Sequence, residues 1–270
     1  MLLHITALSK DFKEGGTRIF PLEYAHQCLV GYSTKTVTKA GYQEMVGASF
    51  NSVGGESLDI QDITLVGDPA DGGSWIKWWD PATKTYSDKA VYADPLCDPV
   101  TDDDLDYGGW GDEVNWYPIT KTFAPGEGFW FSPAQNSVGI TTAGSVEKTA
   151  NQYVGRAVAV AGRQIMVINA FPTTLDIQNV VLDGDPADGG SWIKWWDSAS
   201  KTYSDKVVYA NPLCDPVTDD DLDYGGWGDE VNWYPTDKAF EVGEGFWFSP
   251  AQNNVTICFP NPFYVAPVAP

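Results

Sequence analysis

The stretch from Gly67 to Asn136 is written twice in this chain. Gly184 to Asn253 repeats it 117 residues on, with nine differences: Pro81/Ser198, Thr83/Ser200, Ala90/Val207, Asp94/Asn211, Ile119/Thr236, Thr120/Asp237, Thr122/Ala239, Ala124/Glu241 and Pro125/Val242. Solenoid and propeller units recur every ~20 to 50 residues, whereas ~100 to 150 residues make one ordinary domain. The duplication therefore predicts two homologous domains in tandem. A domain of this size buries roughly two thirds of its unfolded surface, so neither copy needs a metal or a disulfide merely to fold.

Within each copy the pattern is that of strands. Trp, Tyr and Phe number 12, 13 and 12, against 27 Gly and 18 Pro, a composition suited to short strands parted by turns. In SWIKWWD, Trp75, Lys77 and Trp79 share one strand face while Ile76 and Trp78 share the other, so both faces are apolar and both need cover. DPATKT turns the chain into the returning arm YSDKAVY, and PGEG makes a tight turn before the aromatic strand FWF. LVGYSTKTVTKAGYQEMVGASF reads as two strands with a turn at Lys39 to Gly41, matched by AVAVAGRQIMVINAF at 157 to 171. LDIQ, at Leu58 and at Leu175, predicts one helical turn with Ser57 or Thr174 as its N-cap.

The fold class is therefore all-β: two tandem β-sandwich or barrel-like domains with an N-terminal arm and a Pro-rich C-terminal tail. The boundaries fall at 1–26 for the arm, 27–146 for the first domain, 147–152 for a linker, 153–258 for the second domain and 259–270 for the tail.

Charge excludes some partners. With 37 acidic against 16 basic residues the net charge is −21, which opposes contact with phosphate backbones, because nucleic-acid binders gain affinity by releasing counterions to Lys and Arg. Nucleic acid and anionic membrane are set aside. No run approaches ~18 consecutive apolar residues, so no membrane insertion is expected. The opening MLLHITALSKDFKEGG lacks the basic region and sustained apolar run of a secretory signal, and no leader peptide is evident in it. Acidity, aromatic β-character and scarce Lys still point to an extracellular or cell-surface product.

Of four cysteines, Cys97 and Cys214 are equivalent, Cys28 precedes the first copy and Cys258 follows the second. Four cysteines allow three pairings. Free buried thiols are one reading, and a bridge from Cys28 to Cys258 is the other.

The densest cluster of carboxylates is TDDDLDYGGWGDE. Counted from Asp102, acids stand at positions one, three, five and twelve (Asp102, Asp104, Asp106, Glu113), and again at Asp219, Asp221, Asp223 and Glu230. This is the carboxylate spacing of an EF-hand calcium loop. Tyr107 and Tyr224 occupy the position that needs Gly, and Pro99 and Pro118 oppose flanking helices. A different oxygen cage for calcium, joined by Asp68, Asp71, Asp103 and Asp112, and a plain solvated loop both remain open.

The order of a short LDIQ turn, a WDPATKTY hairpin and a PGEGFWF strand resembles a β-module found in tandem in bacterial secreted and cell-surface proteins, where WDP and GxGFW elements recur. The resemblance covers most of both halves and implies an adhesive, structural or accessory part with no shared active site. The chain has no GxSxG, HExxH, GxGxxG or P-loop, and the repeats hold no histidine, so a non-enzymatic role is expected.

The aromatic residues Trp75, Trp78, Trp79, Trp110, Trp192, Trp195, Trp196 and Trp227, with Phe263 and Tyr264 of the tail, admit three uses: core packing, a protein interface, or stacking on sugar rings. Two functions follow. The first is a self-associating subunit of an extracellular fibre, sheath or surface layer, a head-to-tail homopolymer joined by aromatic surfaces and terminal extensions and stabilised by calcium. The second is a secreted module that binds polysaccharide through exposed tryptophans.

Overall fold

The computed structural model describes residues 30–37, 43–47, 57–67, 71–145, 152–158, 161–169, 171, 173–185, 188–262 and 264. The arm at 1–26, Cys28, the Lys39 to Gly41 turn, Asp68, most of the linker and Phe263 lie outside them. The described chain is all-β, its helical content limited to two three-residue 3-10 turns. No helix among the described residues is long and apolar enough to cross a membrane.

The two halves repeat one sheet arrangement. In the first, Val138–Ser145 lies between Val30–Val37 and Thr64–Val66 in a three-stranded antiparallel sheet. A second sheet runs in the order Glu44–Gly47, Gly128–Ser132, Asp71–Lys77, Ala90–Ala93, Gly109–Asp112. The later half pairs Val255–Pro260 with Tyr153–Val158 and Val181–Asp183, and orders its larger sheet as Ile165–Ile168, Gly245–Ser249, Asp188–Asp197, Val207–Ala210, Gly226–Asp229. The strands flanking the copied stretch thus keep their partners although their sequences have diverged. The two strands expected before residue 50 do form, but they join different sheets.

Each half encloses its own core between its two sheets. Ile76, Phe129 and Phe131 from the larger sheet meet Val138 and Ile140 from the smaller, with Leu58, Ile60, Phe123 and Trp110 closing the ends. Ile193, Phe246 and Phe248 meet Val255, Ile257 and Phe259 in the same way. A fully buried side chain of this size contributes about 1.5–3 kcal/mol, so a dozen of them in each half drive folding without any covalent staple.

The LDIQ segment forms the helical turn expected of it, as 3-10 helix at Ile60–Asp62 and Ile177–Asn179, but the cap differs from expectation. Asp59 and Asp176, not Ser57 and Thr174, accept the N–H of Gln61 and Gln178 at 2.9 Å. The turn's purpose lies in its glutamine. Gln61 donates its amide to the carbonyls of Trp110 (2.7 Å) and Ile119 (2.9 Å) and accepts the Trp110 N–H at 3.0 Å. Gln178 repeats all three bonds to Trp227 and Thr236. Each glutamine thus ties its turn to two carbonyls and one N–H, although the Trp110 and Trp227 carbonyls also accept the N–H groups of Ile119 at 2.9 Å and Thr236 at 2.8 Å.

The last strand runs through Pro260, with Phe259 in the core and Asn261 buried and bonded to the Gln152 carbonyl. The tail assigned from residue 259 therefore begins later than its prolines suggest, because the strand alternation continues past Cys258.

Candidate functional site: the seam between the halves and its two grooves

The alternation in SWIKWWD decides where the tryptophans go. Ile76 and Trp78 turn inward, Trp78 edge-on to Phe123 at 6.1 Å, and Trp195 meets Phe240 likewise at 5.9 Å. Trp110 and Trp227 are completely enclosed, each indole donating to a backbone carbonyl, Ile63 at 2.7 Å and Val180 at 2.8 Å. Of these four tryptophans, read from sequence as candidates for an interface or a sugar, Trp110 and Trp227 are core residues, and Trp78 and Trp195 are partly buried against the cores. Trp75, Trp79, Trp192 and Trp196 take the opposite face, and that face meets the other half of the same chain.

Between the two larger sheets, Met45, Trp130, Met166 and Trp247 form a buried cluster, with the four outward tryptophans packed around it. The contacts are reciprocal: Trp79 stands edge-on to Trp247 at 5.5 Å, and Trp196 edge-on to Trp130 at 5.6 Å. Residue i of one half touching j of the other, and j touching i, is the pattern of a two-fold interface. Backbones also join, since the Ile168 N–H donates to the Gly126 carbonyl at 3.0 Å and the Trp79 indole donates to the Gln164 carbonyl at 2.9 Å. Gly128 makes this closeness feasible. A Cβ there would lie 3.2 Å from the Met166 carbonyl carbon and 3.3 Å from the Val167 nitrogen.

Two open grooves flank the cluster. One, of about 380 Å³, is lined by Gln43, Trp75, Lys77, Tyr86, Lys89, Trp130, Trp196 and Tyr203. The other, of about 350 Å³, is lined by Trp79, Tyr86, Gln164, Trp192, Lys194, Tyr203, Lys206 and Trp247. They are counterparts residue by residue, and Tyr86 and Tyr203 border both. Each tyrosine hydroxyl accepts an indole N–H, from Trp130 at 3.1 Å or Trp247 at 3.2 Å. Burial raises the pKa of both phenols, against the lowering effect of that bond, so they stay protonated well into the alkaline range. No family model, no curated protein and no solved structure matches the chain.

The grooves' remaining walls were only partly legible beforehand. Trp130 and Trp247 are signalled by the alternation in FWF, which sends both phenylalanines inward and the tryptophan out. Tyr86, Tyr203 and the lysines carry no local signal beyond their strand position. Of the tail residues, Tyr264 is half-buried with its N–H on the Asn261 carbonyl.

The acidic loops reach the grooves only through Glu113 and Glu230, which pair with the groove lysines Lys89 and Lys206. Asp102 accepts the Tyr117 hydroxyl at 3.1 Å, Asp104 accepts the Cys97 thiol at 3.5 Å, and Glu113 pairs with Lys89 at 2.8 Å. Asp106 is exposed. Asp219, Asp221 and Glu230 repeat the first three roles, and Asp223 is exposed in turn. Among the described residues no group of three or more His, Cys, Asp or Glu is placed to hold a metal ion. The turns of these loops are capped by other carboxylates, Asp98 and Asp112, and by Asp215 and Asp229 in the second half. Burial pushes the Cys97 and Cys214 thiols up, as do their bonds to Asp104 and Asp221, which keeps both protonated at neutral pH. Cys258, with its Sγ 3.7 Å from the Thr256 carbonyl, is likewise a thiol.

The turn-capping aspartates give the molecule an acid limit. Burial raises the Asp112 carboxyl, but the N–H groups of Asn115, Val114 and Tyr117 outweigh it and hold the pKa below the ordinary value. Asp98 is lowered by the N–H groups of Val100 and Thr101, and Asp80 by Ala82 N–H and the Thr83 hydroxyl. Asp229, Asp215 and Asp197 are lowered in the same manner. A folded pKa below the unfolded one gives stability that is complete above the unfolded value, about 3.9, and lost as pH falls through the folded value. The melting temperature is expected to hold or rise between pH 7 and pH 5, as self-repulsion from the −21 charge eases, and to fall below about pH 4. A melting temperature still climbing at pH 3 would remove these caps from the account.

Proposed function

We propose that this chain is a non-enzymatic, extracellular or cell-surface binding protein of two tandem β-sandwich domains, which takes saccharides in the two grooves beside its seam. The observation that carries this reading is the duplicated groove itself. Each has aromatic walls on which a sugar ring can stack and polar side chains at the rim, at a volume typical of small-ligand sites. The protonated thiols support a binding role over a nucleophilic one.

Self-assembly through surplus aromatic rings has less support than saccharide binding. That surplus is taken up inside the chain, between the halves, and no tryptophan among the described residues ranks with the exposed large apolar side chains.

Calorimetric titration with a panel of neutral and uronate-bearing oligosaccharides tests the proposal. Two equivalent sites per chain are expected, with indole fluorescence quenched on binding. Trp75→Ala and Trp192→Ala each remove one site, weakening it about tenfold or more, as the loss of one aromatic stacking partner implies. Absence of heat and quenching across the whole panel would end this reading.

A further inference from the structure

We infer that each groove is built for a saccharide bearing a single carboxylate. The inference rests on the saccharide-binding reading and adds the ligand's charge. Lys77 and Lys194 stand on the groove walls opposite Trp130 and Trp247 in the strand register, two positions from Trp75 and Trp192. Both are half-buried, and neither has an ion-pair partner among the described residues. In a chain with 37 acidic residues and only 16 basic ones, leaving a half-buried ammonium unpaired forgoes an easily supplied Asp or Glu. The lysines at 89, 121, 206 and 238 all have one.

Among the described residues no acidic side chain lines either groove. The second lysine of each, Lys89 or Lys206, is already neutralised by Glu113 or Glu230 while its ammonium sits 5.8 or 5.7 Å from the centre of the Trp75 or Trp192 ring. One uncompensated positive charge therefore remains per groove. A single carboxylate matches it, whereas a polyanion would also meet the field of a molecule carrying −21.

A second, independent observation lies in the first groove. The Trp196 indole N–H is buried without a hydrogen-bond partner, although its counterpart on Trp79 donates to the Gln164 carbonyl. Trp196 lines the same groove as Lys77, so an unmatched donor and an unpaired ammonium belong to one pocket wall.

The test compares matched pairs by calorimetry in 0.15 M salt: xylotriose with and without one glucuronic acid branch, and galactotriose with and without a terminal galacturonic acid. The acidic member of a pair is expected to bind about tenfold tighter or more, the range of a charge-assisted hydrogen bond. The preference should shrink in 0.5 M salt and vanish in the Lys77→Met/Lys194→Met variant, which should bind the acidic and neutral members of a pair alike. Equal binding of both members, or a preference that survives the lysine change, overturns the inference and leaves saccharide binding standing. Binding of neither member of either pair overturns both.

Discussion

Truncating Trp130 and Trp247 together to alanine will uncouple the two halves, so that a single thermal transition becomes two at lower temperature. Each indole is nearly buried at the seam, edge-on to a tryptophan of the opposite half and bonded to the hydroxyl of a tyrosine in its own. Emptying such a site costs about 3–5 kcal/mol for each tryptophan. Because each half encloses a separate core, the strands should survive while cooperation between halves is lost. Differential scanning calorimetry reads this directly, and far-ultraviolet circular dichroism checks that sheet content persists. Gly128→Val supplies an independent arm. It forces side-chain atoms against the Met166 and Val167 backbone without removing an aromatic ring. Variants that melt in one transition at the wild-type temperature would show that the seam contributes little.

Gln61→Glu is expected to cost about 2–3 kcal/mol, the scale of the Ile119 carbonyl losing the amide donor, and the Trp110 carbonyl keeping only the Ile119 N–H, beside a partly buried charge. The change is nearly isosteric, yet it replaces an amide that donates to Trp110 and Ile119 with a carboxylate that can only accept. The sign of its pH dependence separates this cause from simple loss of packing. Facing two carbonyl oxygens, the introduced carboxyl has its folded pKa raised above the unfolded value of about 4.3. Protonation therefore favours the fold, and the deficit at pH 7 should narrow as pH falls towards that value. Gln61→Leu, which loses all three hydrogen bonds and gains no charge, should show a deficit independent of pH. Equal pH profiles for the two variants would reject the hydrogen-bond explanation.

Much of this architecture is legible in the residues. The duplication implies the repeated sheet order, and strict alternation in SWIKWWD and GFWFS separates the rings that turn inward from those that turn out. Other features were hidden because their cause is non-local. Of the acids with EF-hand spacing, Asp102 meets a tyrosine, Asp104 a thiol and Glu113 a lysine, partners that count and spacing do not register. The LDIQ glutamine looks like a surface residue until Trp110 and Ile119, 49 and 58 positions away, present their carbonyls to it.

What the chain settles by itself is which side chains share a face, because a strand places alternate residues on opposite sides whatever surrounds it. What covers an apolar face is decided only in three dimensions. Trp75 and Trp79 would present the same pattern to solvent, to a sugar or to another molecule, and the packing of Trp79 on Trp247 assigns that face to the chain's own second half. The grooves exist for the same reason: two equivalent surfaces closing on each other leave a matched gap on either side of their shared axis.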